Sequence, residues 1–211
     1  MSRVSKWLRR AGGCLVVVAA LGAGLVAFVP QGGAAARSPL ARIPTFEAPP
    51  ALSSAAAAQA ILDALPTPEA PPSDPYAPVG VVGVFEMAIP KIGLDRTVSE
   101  GVWLTVIDRG PAHWPGTAEP GGWGNVVIAA HRTTHGGPFL RIGDLVAGDR
   151  IALRDEGETF VYVVTGSEVV TPDALRIVEQ HPGHALTLFA CHPIGASTHR
   201  LVVHAEMLQD A

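Results

Sequence analysis

The sequence predicts an all-β domain, a small closed or nearly closed barrel of about eight strands with one or two short helices. Short segments rich in valine and isoleucine recur throughout residues 80–211, and glycine or proline lies at nearly every join between them. A single convincing helix start occurs at Thr171-Pro172-Asp173, before residues 174–180. Many short strands with so little helix favour a small barrel.

The predicted strands all lie in residues 80–211, which we expect to form one folded domain without internal repeats. They are Val81–Ile89, Val102–Ile107, Asn125–Ala130, Arg150–Arg154, Phe160–Val170, Ala185–Ala190 and Leu201–Met207.

The N-terminus has the features of a membrane anchor. Residues 1–10 form a basic tail with four Lys or Arg and no acid, and residues 11–29 follow without a charge. Such a segment is just long enough to span a bilayer, and the basic tail predicts a cytoplasmic N-terminus. The alternative is a cleaved signal peptide, because Ala34-Ala35-Ala36 resembles a cleavage site. In either case, the following domain is expected outside the cell membrane.

Residues 30–79 differ in composition from the rest of the chain. They hold 11 of the 19 prolines and 14 alanines, with almost no aromatic side chains. A segment of this kind predicts a disordered, fairly stiff spacer. A transient helix is conceivable over Ala51–Leu65, where Pro66 would stop it.

Charge and cysteine content exclude two classes of protein. The net charge of -4 conceals a value of -8 for residues 11–211, so clustered phosphate contacts to nucleic acid are not expected. The two cysteines are Cys14, inside the apolar segment, and Cys191, so no disulfide framework is predicted. Cys191 is therefore either an inert core thiol or a reactive one.

Three residues could act together. Cys191 ends a predicted apolar strand, and His131 follows a second one, so both side chains could lie on one rim of the barrel. Arg200, nine residues after Cys191, could stabilise a thiolate or an oxyanion, although a surface role is the ordinary alternative. His204 is expected to be structural, and His113 and His184 are expected at the surface.

A zinc site is the alternative to a reactive thiol. His131 and His135 have the spacing of two ligands on one helical face, and Cys191 with His192 could complete a site. The intervening Thr133 and Thr134 and the following Gly136-Gly137 make a helix there improbable, so we expect no metal and no cofactor.

Several motifs resemble, in order, those of the sortases, the cysteine transpeptidases anchored in the membranes of Gram-positive bacteria. The resemblance covers residues 85–207, about three-fifths of the chain. The matching segments are Ile89-Pro90-Lys91-Ile92-Gly93, residues 110–121, Ala130-His131-Arg132, Thr187-Leu188-Phe189-Ala190-Cys191 and Arg200-Leu201-Val202-Val203.

The resemblance implies that Cys191 is the nucleophile, His131 the general acid/base and Arg200 the residue that positions substrate and stabilises its oxyanion. The implied substrates are exported proteins with a C-terminal sorting signal of the Leu-Pro-x-Thr-Gly or Leu-Ala-x-Thr-Gly type, cleaved between Thr and Gly. The acyl group would pass through a thioester to a peptidoglycan precursor amine or a pilin lysine.

The Cys-His-Pro segment and the nine-residue Cys-to-Arg interval look most like class E or class F sortases of actinobacteria. Ala190, His135 and His192 are the predicted substrate-binding residues. Ala190 stands where the family has threonine, and His135 where class E enzymes that prefer Leu-Ala-x-Thr-Gly have tyrosine. The alternatives are a cysteine peptidase, an L,D-transpeptidase of peptidoglycan, and a non-catalytic wall-anchored module.

Overall fold

The computed structural model describes residues 55–208, all within one compact unit, Pro49–Ala211. The strands are β1 Gly83–Ile89, β2 Leu94–Glu100, β3 Ala112–His113, β4 Gly124–Ala129, β5 Arg150–Asp155, β6 Glu158–Val170, β7 His184–His192 and β8 His199–Met207; the helices are α1 Ala55–Asp63 and α2 Leu104–Ile107. Short 3-10 turns occupy Pro90–Ile92, Ile142–Asp144 and Leu175–Val178. The helices within residues 55–208 are too short or too polar to cross a membrane. The predicted tail 1–10 and anchor 11–29 lie outside the described residues.

The eight strands form a closed barrel in the order β1-β2-β3-β4-β7-β8-β6-β5, which confirms the predicted fold class. Most neighbours are antiparallel, but β2 pairs with β3 and β4 pairs with β7 in parallel. A parallel pair joins segments that are distant in sequence, since it needs a long crossover connection. Here it brings residues near 129 beside residues near 189.

On strands with one solvent-exposed face, every second side chain points into the barrel and fills its interior. On β1, Phe85, Met87 and Ile89 are buried while the residues between them are more exposed. Strand β4 is instead buried along its whole length, because a second apolar cluster covers its outward face. This cluster includes Trp114 and Val127. Strand β4 is thereby shielded from solvent on both faces.

Six of the seven predicted strands are present, and one prediction was wrong. Residues 102–107 were predicted as a strand but contain the short helix α2. A short apolar run with β-branched residues does not distinguish a strand from a turn of helix by its composition alone. The strands β2 and β3 were not predicted. The helix expected over residues 174–180 is only the 3-10 turn Leu175–Val178. Just beyond this turn, His181 precedes Pro182, and a residue in that position disfavours the helical conformation. The Gln180 side chain bonds the main chain of Asn125 instead.

The structure differs from the predicted spacer over residues 55–79. α1 is followed by an extended segment, residues 66–79, which we call the strap. The strap is fixed by main-chain hydrogen bonds, including one from the Leu104 N–H to the Pro75 carbonyl at 2.7 Å. Composition predicts disorder when a segment cannot bury a core of its own, but the strap packs against the barrel. The first part of the spacer, residues 30–54, is not among the described residues.

Candidate active site

The parallel pairing of β4 and β7 places two candidate residues side by side. Ala129 is opposite Phe189 in the register, and the Ala130 N–H donates to the Phe189 carbonyl at 3.2 Å. His131 and Cys191 each lie two residues beyond that pair. Parallel strands end at the same edge of a sheet, so both side chains reach one rim, as the sequence predicts.

Arg200 joins this rim from the other side. It is the direct antiparallel partner of Cys191 on β8, and the side chains of such partners lie on one face with Cβ atoms about 4.5–5.5 Å apart. Its Nη1 donates to the Ser197 and His199 carbonyls, at 3.0 Å each. Within residues 55–208, its other N–H groups have no protein partner, so they are free to bind a ligand oxygen.

Cys191, His131 and Arg200 line one small pocket of about 130 Å³. The Cys191 thiol is free and half-buried, and the His131 side chain is 17% exposed. The rest of the pocket wall is apolar: Leu104, Ile107, Ala129, Ala130, Phe189 and Ala190. An apolar wall around a thiol, an imidazole and a guanidinium limits access of water to them.

Asp108 positions the His131 ring. Its Oδ1 lies 2.7 Å from His131 Nε2, and the residue ends helix α2. A carboxylate accepts a hydrogen bond from that nitrogen, which fixes the tautomer with the proton on Nε2. Nδ1 is then the ring nitrogen that remains available as an acceptor. Sequence reasoning missed Asp108, because nothing local links it to a histidine 23 positions away.

His135 lies against the same pair. Its ring stacks on His131 with centroids 4.8 Å apart, and its Nδ1 is 3.3 Å from Asp108 Oδ1. Ligand atoms of these three residues all lie within 4.8 Å of one another, a set that could hold a metal ion. The two histidines meet through a loop with His135 in a left-handed conformation (φ 50°), rather than on a helix face. Cys191 and His192 do not belong to this set.

Arg132 connects the loop after β4 to the end of β7 through hydrogen bonds. It is 7% exposed, and its Nη1 donates to His192 Nδ1 at 2.7 Å and to the Cys191 carbonyl at 3.4 Å. Because a guanidinium can only donate, His192 Nδ1 is the acceptor of this hydrogen bond. The Arg132 Nε is buried without a hydrogen-bond partner among the described residues. Sequence reasoning quoted Arg132 only as part of a motif.

The three predicted substrate-binding residues occupy different environments. Ala190 lines the small pocket but is only 2% exposed. The His135 side chain is 48% exposed and lies on the far side of His131. His192 faces Arg132 rather than the pocket. The geometry brings Ala190 alone of the three to the pocket wall.

A second cavity of about 290 Å³ adjoins the first, sharing Arg200, Phe189 and Leu104 among its lining residues. Its opposite wall comes from the strap, through Pro71, Pro72 and Pro75. The strap is held there by Glu69, whose carbonyl accepts from Trp114 Nε1 at 2.9 Å. Together the two cavities form an apolar groove that ends at the thiol.

Three further histidines, His113, His184 and His204, form hydrogen bonds away from the pocket. His113 was predicted at the surface but is 1% exposed, with Nδ1 2.7 Å from Glu100 Oε2. Burial lowers the pKa of His113, but the hydrogen bond and charge of Glu100 outweigh it and raise the pKa above 6.5. His184, also predicted at the surface, is half-buried and bonds the carbonyls of a turn at Gly121. His204 bonds Glu168 at 3.0 Å, in keeping with the predicted structural role.

A closed eight-stranded barrel that brings a thiol, an imidazole and a guanidinium to one pocket at the ends of β4, β7 and β8 defines a candidate thiol-based site. The sortase domain model matches residues 87–208, more than half of the chain. The chain therefore belongs to the sortase family, as its motifs indicate.

Individual relatives agree with this assignment. The chain is 32% identical over 138 residues to the sortase SrtE1 of Streptomyces coelicolor, covering 58% of this chain and 39% of that protein. It resembles the crystal structure of sortase E1 from the same organism with a tripeptide in the active site (TM-score 0.57, 30% identity, 60% of this chain and 88% of that one). A Clostridium perfringens sortase C with its C-terminal cell wall sorting motif is also similar (TM-score 0.56, 25% identity, 61% and 72%).

Proposed function

We propose that this protein is an extracytoplasmic sortase-type transpeptidase with Cys191 as nucleophile, His131 as general acid/base and Arg200 as the oxyanion-binding residue. The observation that carries the proposal is the convergence of these three side chains on one pocket at the ends of β4, β7 and β8. A thiol beside an imidazole and a guanidinium is suited to acyl transfer.

The substrate proposed is a C-terminal sorting signal of the Leu-Pro-x-Thr-Gly or Leu-Ala-x-Thr-Gly type. His131 takes the Cys191 thiol proton as the sulfur attacks the threonyl carbonyl, and Arg200 binds the oxyanion. The C–N bond to glycine then breaks, and His131 passes the proton to the leaving glycyl amine. An extended, apolar peptide suits the groove between the strap and the barrel. The similar Clostridium perfringens sortase C has a structure with the C-terminal cell wall sorting motif, which supports this class of ligand.

The thioester is then resolved by an amine. Its nitrogen attacks the acyl carbon, the C–S bond breaks, and the proton lost by the amine returns to the sulfur through His131. A peptidoglycan precursor amine or a pilin lysine is the proposed acceptor, and water in its place gives hydrolysis. Residues 11–29 are proposed to anchor the protein in the cell membrane, with the N-terminus cytoplasmic.

Incubation of the full chain with both peptide types, with and without an amine, tests the proposal by mass spectrometry. We expect a thioester adduct on Cys191, cleavage between Thr and Gly, and an amide product when the amine is present. Cys191→Ala should abolish all three, while Cys14→Ala, the matched control, should retain them. Cleavage by Cys191→Ala would refute the assignment, and no cleavage of either peptide by the native chain would favour a non-catalytic module.

A further inference from the structure

A basic pocket of about 260 Å³ lies on the other side of His135 from the catalytic rim. Arg96, Arg109 and Arg141 all line it, and no Asp or Glu does. We call it the arginine pocket. Three guanidiniums facing one small space repel one another, so the arrangement favours an anionic occupant.

The charge of the surrounding domain makes this concentration unusual. Residues 55–208 contain 9 Lys or Arg and 17 Asp or Glu, a net of -8, yet three of the nine basic residues line the arginine pocket. In a domain of that sign, basic side chains are expected to be spread among acidic partners. The net negative charge of the domain as a whole repels anions, whereas the local positive charge of this pocket attracts them.

The guanidiniums of the arginine pocket are poorly neutralised. Arg141 pairs with Asp144 at 2.8 Å, but Arg96 donates only to the main-chain carbonyl of Asp95 at 2.9 Å. The Arg109 side chain has no hydrogen bond or ion pair within residues 55–208. At least two of the three guanidiniums therefore keep free N–H groups, which bind carboxylate or phosphate oxygens in a bidentate fashion.

The His135 ring lies between the arginine pocket and His131, the proposed general acid/base. His135 lines it and also stacks on His131 with centroids 4.8 Å apart. Arg109 directly follows Asp108, the residue that bonds His131. A molecule held by these arginines can therefore extend past His135 to the atoms that resolve the thioester.

We propose that the arginine pocket is the anion-binding subsite for the acceptor, which is an amine that carries a carboxylate or phosphate group. This inference rests on the proposed transpeptidase function and names the acceptor class. With its anion bound by Arg96 and Arg109, the acceptor presents its amine to the thioester beside His131. The amine forms the new C–N bond as the C–S bond breaks, and its proton passes to the departing sulfur.

Matched acceptors test the proposal with the full chain and a sorting peptide as donor. Diaminopimelate and cadaverine share the same five-carbon diamine but differ in two carboxylates, and O-phosphoethanolamine and ethanolamine differ in one phosphate. We expect kcat/KM for the member of at least one pair that carries the carboxylate or phosphate to exceed that of the partner without it about tenfold or more, since charge-assisted bonds contribute that much. The responsive pair identifies carboxylate or phosphate as the anion.

The double variant Arg96→Gln/Arg109→Gln should reduce that ratio to near one, while thioester formation stays within about twofold of native. Arg176→Gln, which removes the same charge outside the pocket, should keep the ratio. A ratio near one in the native chain, or a high ratio that survives the double variant, overturns the inference.

Direct binding separates failure of the subsite from failure of the transpeptidase proposal. Diaminopimelate and inorganic pyrophosphate are titrated calorimetrically into Cys191→Ala, with and without the two arginine substitutions. Binding that the arginine substitutions abolish supports the subsite even if no thioester ever forms. Absence of binding by both probes overturns it, whatever the peptide assay shows.

Discussion

Replacing Arg132 by methionine would remove the buried cation that connects the loop after β4 to the end of β7. Methionine is unbranched and apolar, so it can fill much of the same space. The change removes the 2.7 Å bond to His192 and the 3.4 Å bond to the Cys191 carbonyl. The position of Cys191 relative to His131 then loses a direct restraint.

The effects on stability and on catalysis should have different sizes. A hydrogen bond from a charged donor contributes about 1.5–3 kcal/mol, but burying a guanidinium with an unpartnered Nε costs several kcal/mol. These terms oppose each other, so the net change in folding free energy should stay below about 2 kcal/mol. Losing the 2.7 Å restraint should slow thioester formation about 10–100-fold, the rate equivalent of roughly 1.4–2.7 kcal/mol.

Single-turnover formation of the thioester and thermal unfolding are measured on the same preparations. Arg132→Lys keeps the charge and should recover part of the rate, and Arg150→Met at an exposed position is the matched control. Thioester formation at the native rate in Arg132→Met would refute the positioning role. A large fall in melting temperature with a proportionate loss of rate would show instead that Arg132 supports the fold alone.

Three further predictions follow from single contacts. Asp108→Asn should lower kcat about tenfold or more with little change in peptide KM, because the carboxylate that bonds His131 is lost; Asp108→Glu should recover part of it, and a change in KM alone would contradict the reasoning. The hydrogen bond from Arg176 outweighs desolvation and, with His204, lowers the pKa of Glu168 from 4.5 to about 2. Urea unfolding should therefore show the advantage of the native chain over Glu168→Gln above pH 4.5, shrinking as the pH falls towards 2; a constant difference would count against it. Burial lowers the pKa of His113, but the bond to Glu100 raises it above 6.5 overall. The advantage over His113→Asn should be largest below pH 6.5 and decline as the pH rises through the folded pKa, and the opposite slope would exclude that ion pair as its cause.

The parts of the fold that the sequence predicts are those governed by local pattern. Apolar runs that end on a polar residue located β4 and β7, and with them Cys191 and His131. Arg200 directly precedes another such run, Leu201–Met207, and in the structure it is the strand partner of Cys191. These features depend on alternation and on turn residues, which are visible in a single sequence.

The features that were missed depend on contacts between distant segments. Arg132 and His192 are 60 positions apart, and His113 is buried because Glu100 and the Ala118 carbonyl satisfy its ring. The strap is ordered by bonds to residues beyond position 100, although its own composition predicts disorder. Composition describes what a segment can do alone, whereas burial of a polar group is decided by its eventual neighbours.

The parallel pairing of β4 and β7 also determines when, during folding, the proposed catalytic pair can assemble. The two strands are separated by 54 residues, 130–183, which form β5, β6 and their connections, so their pairing carries a large loop-closure cost. His131 and Cys191 cannot meet until the barrel has closed around them. In the proposed mechanism, a chain in which β4 and β7 have not yet paired therefore has a nucleophile without its general base, and it becomes competent for catalysis only when the fold is complete.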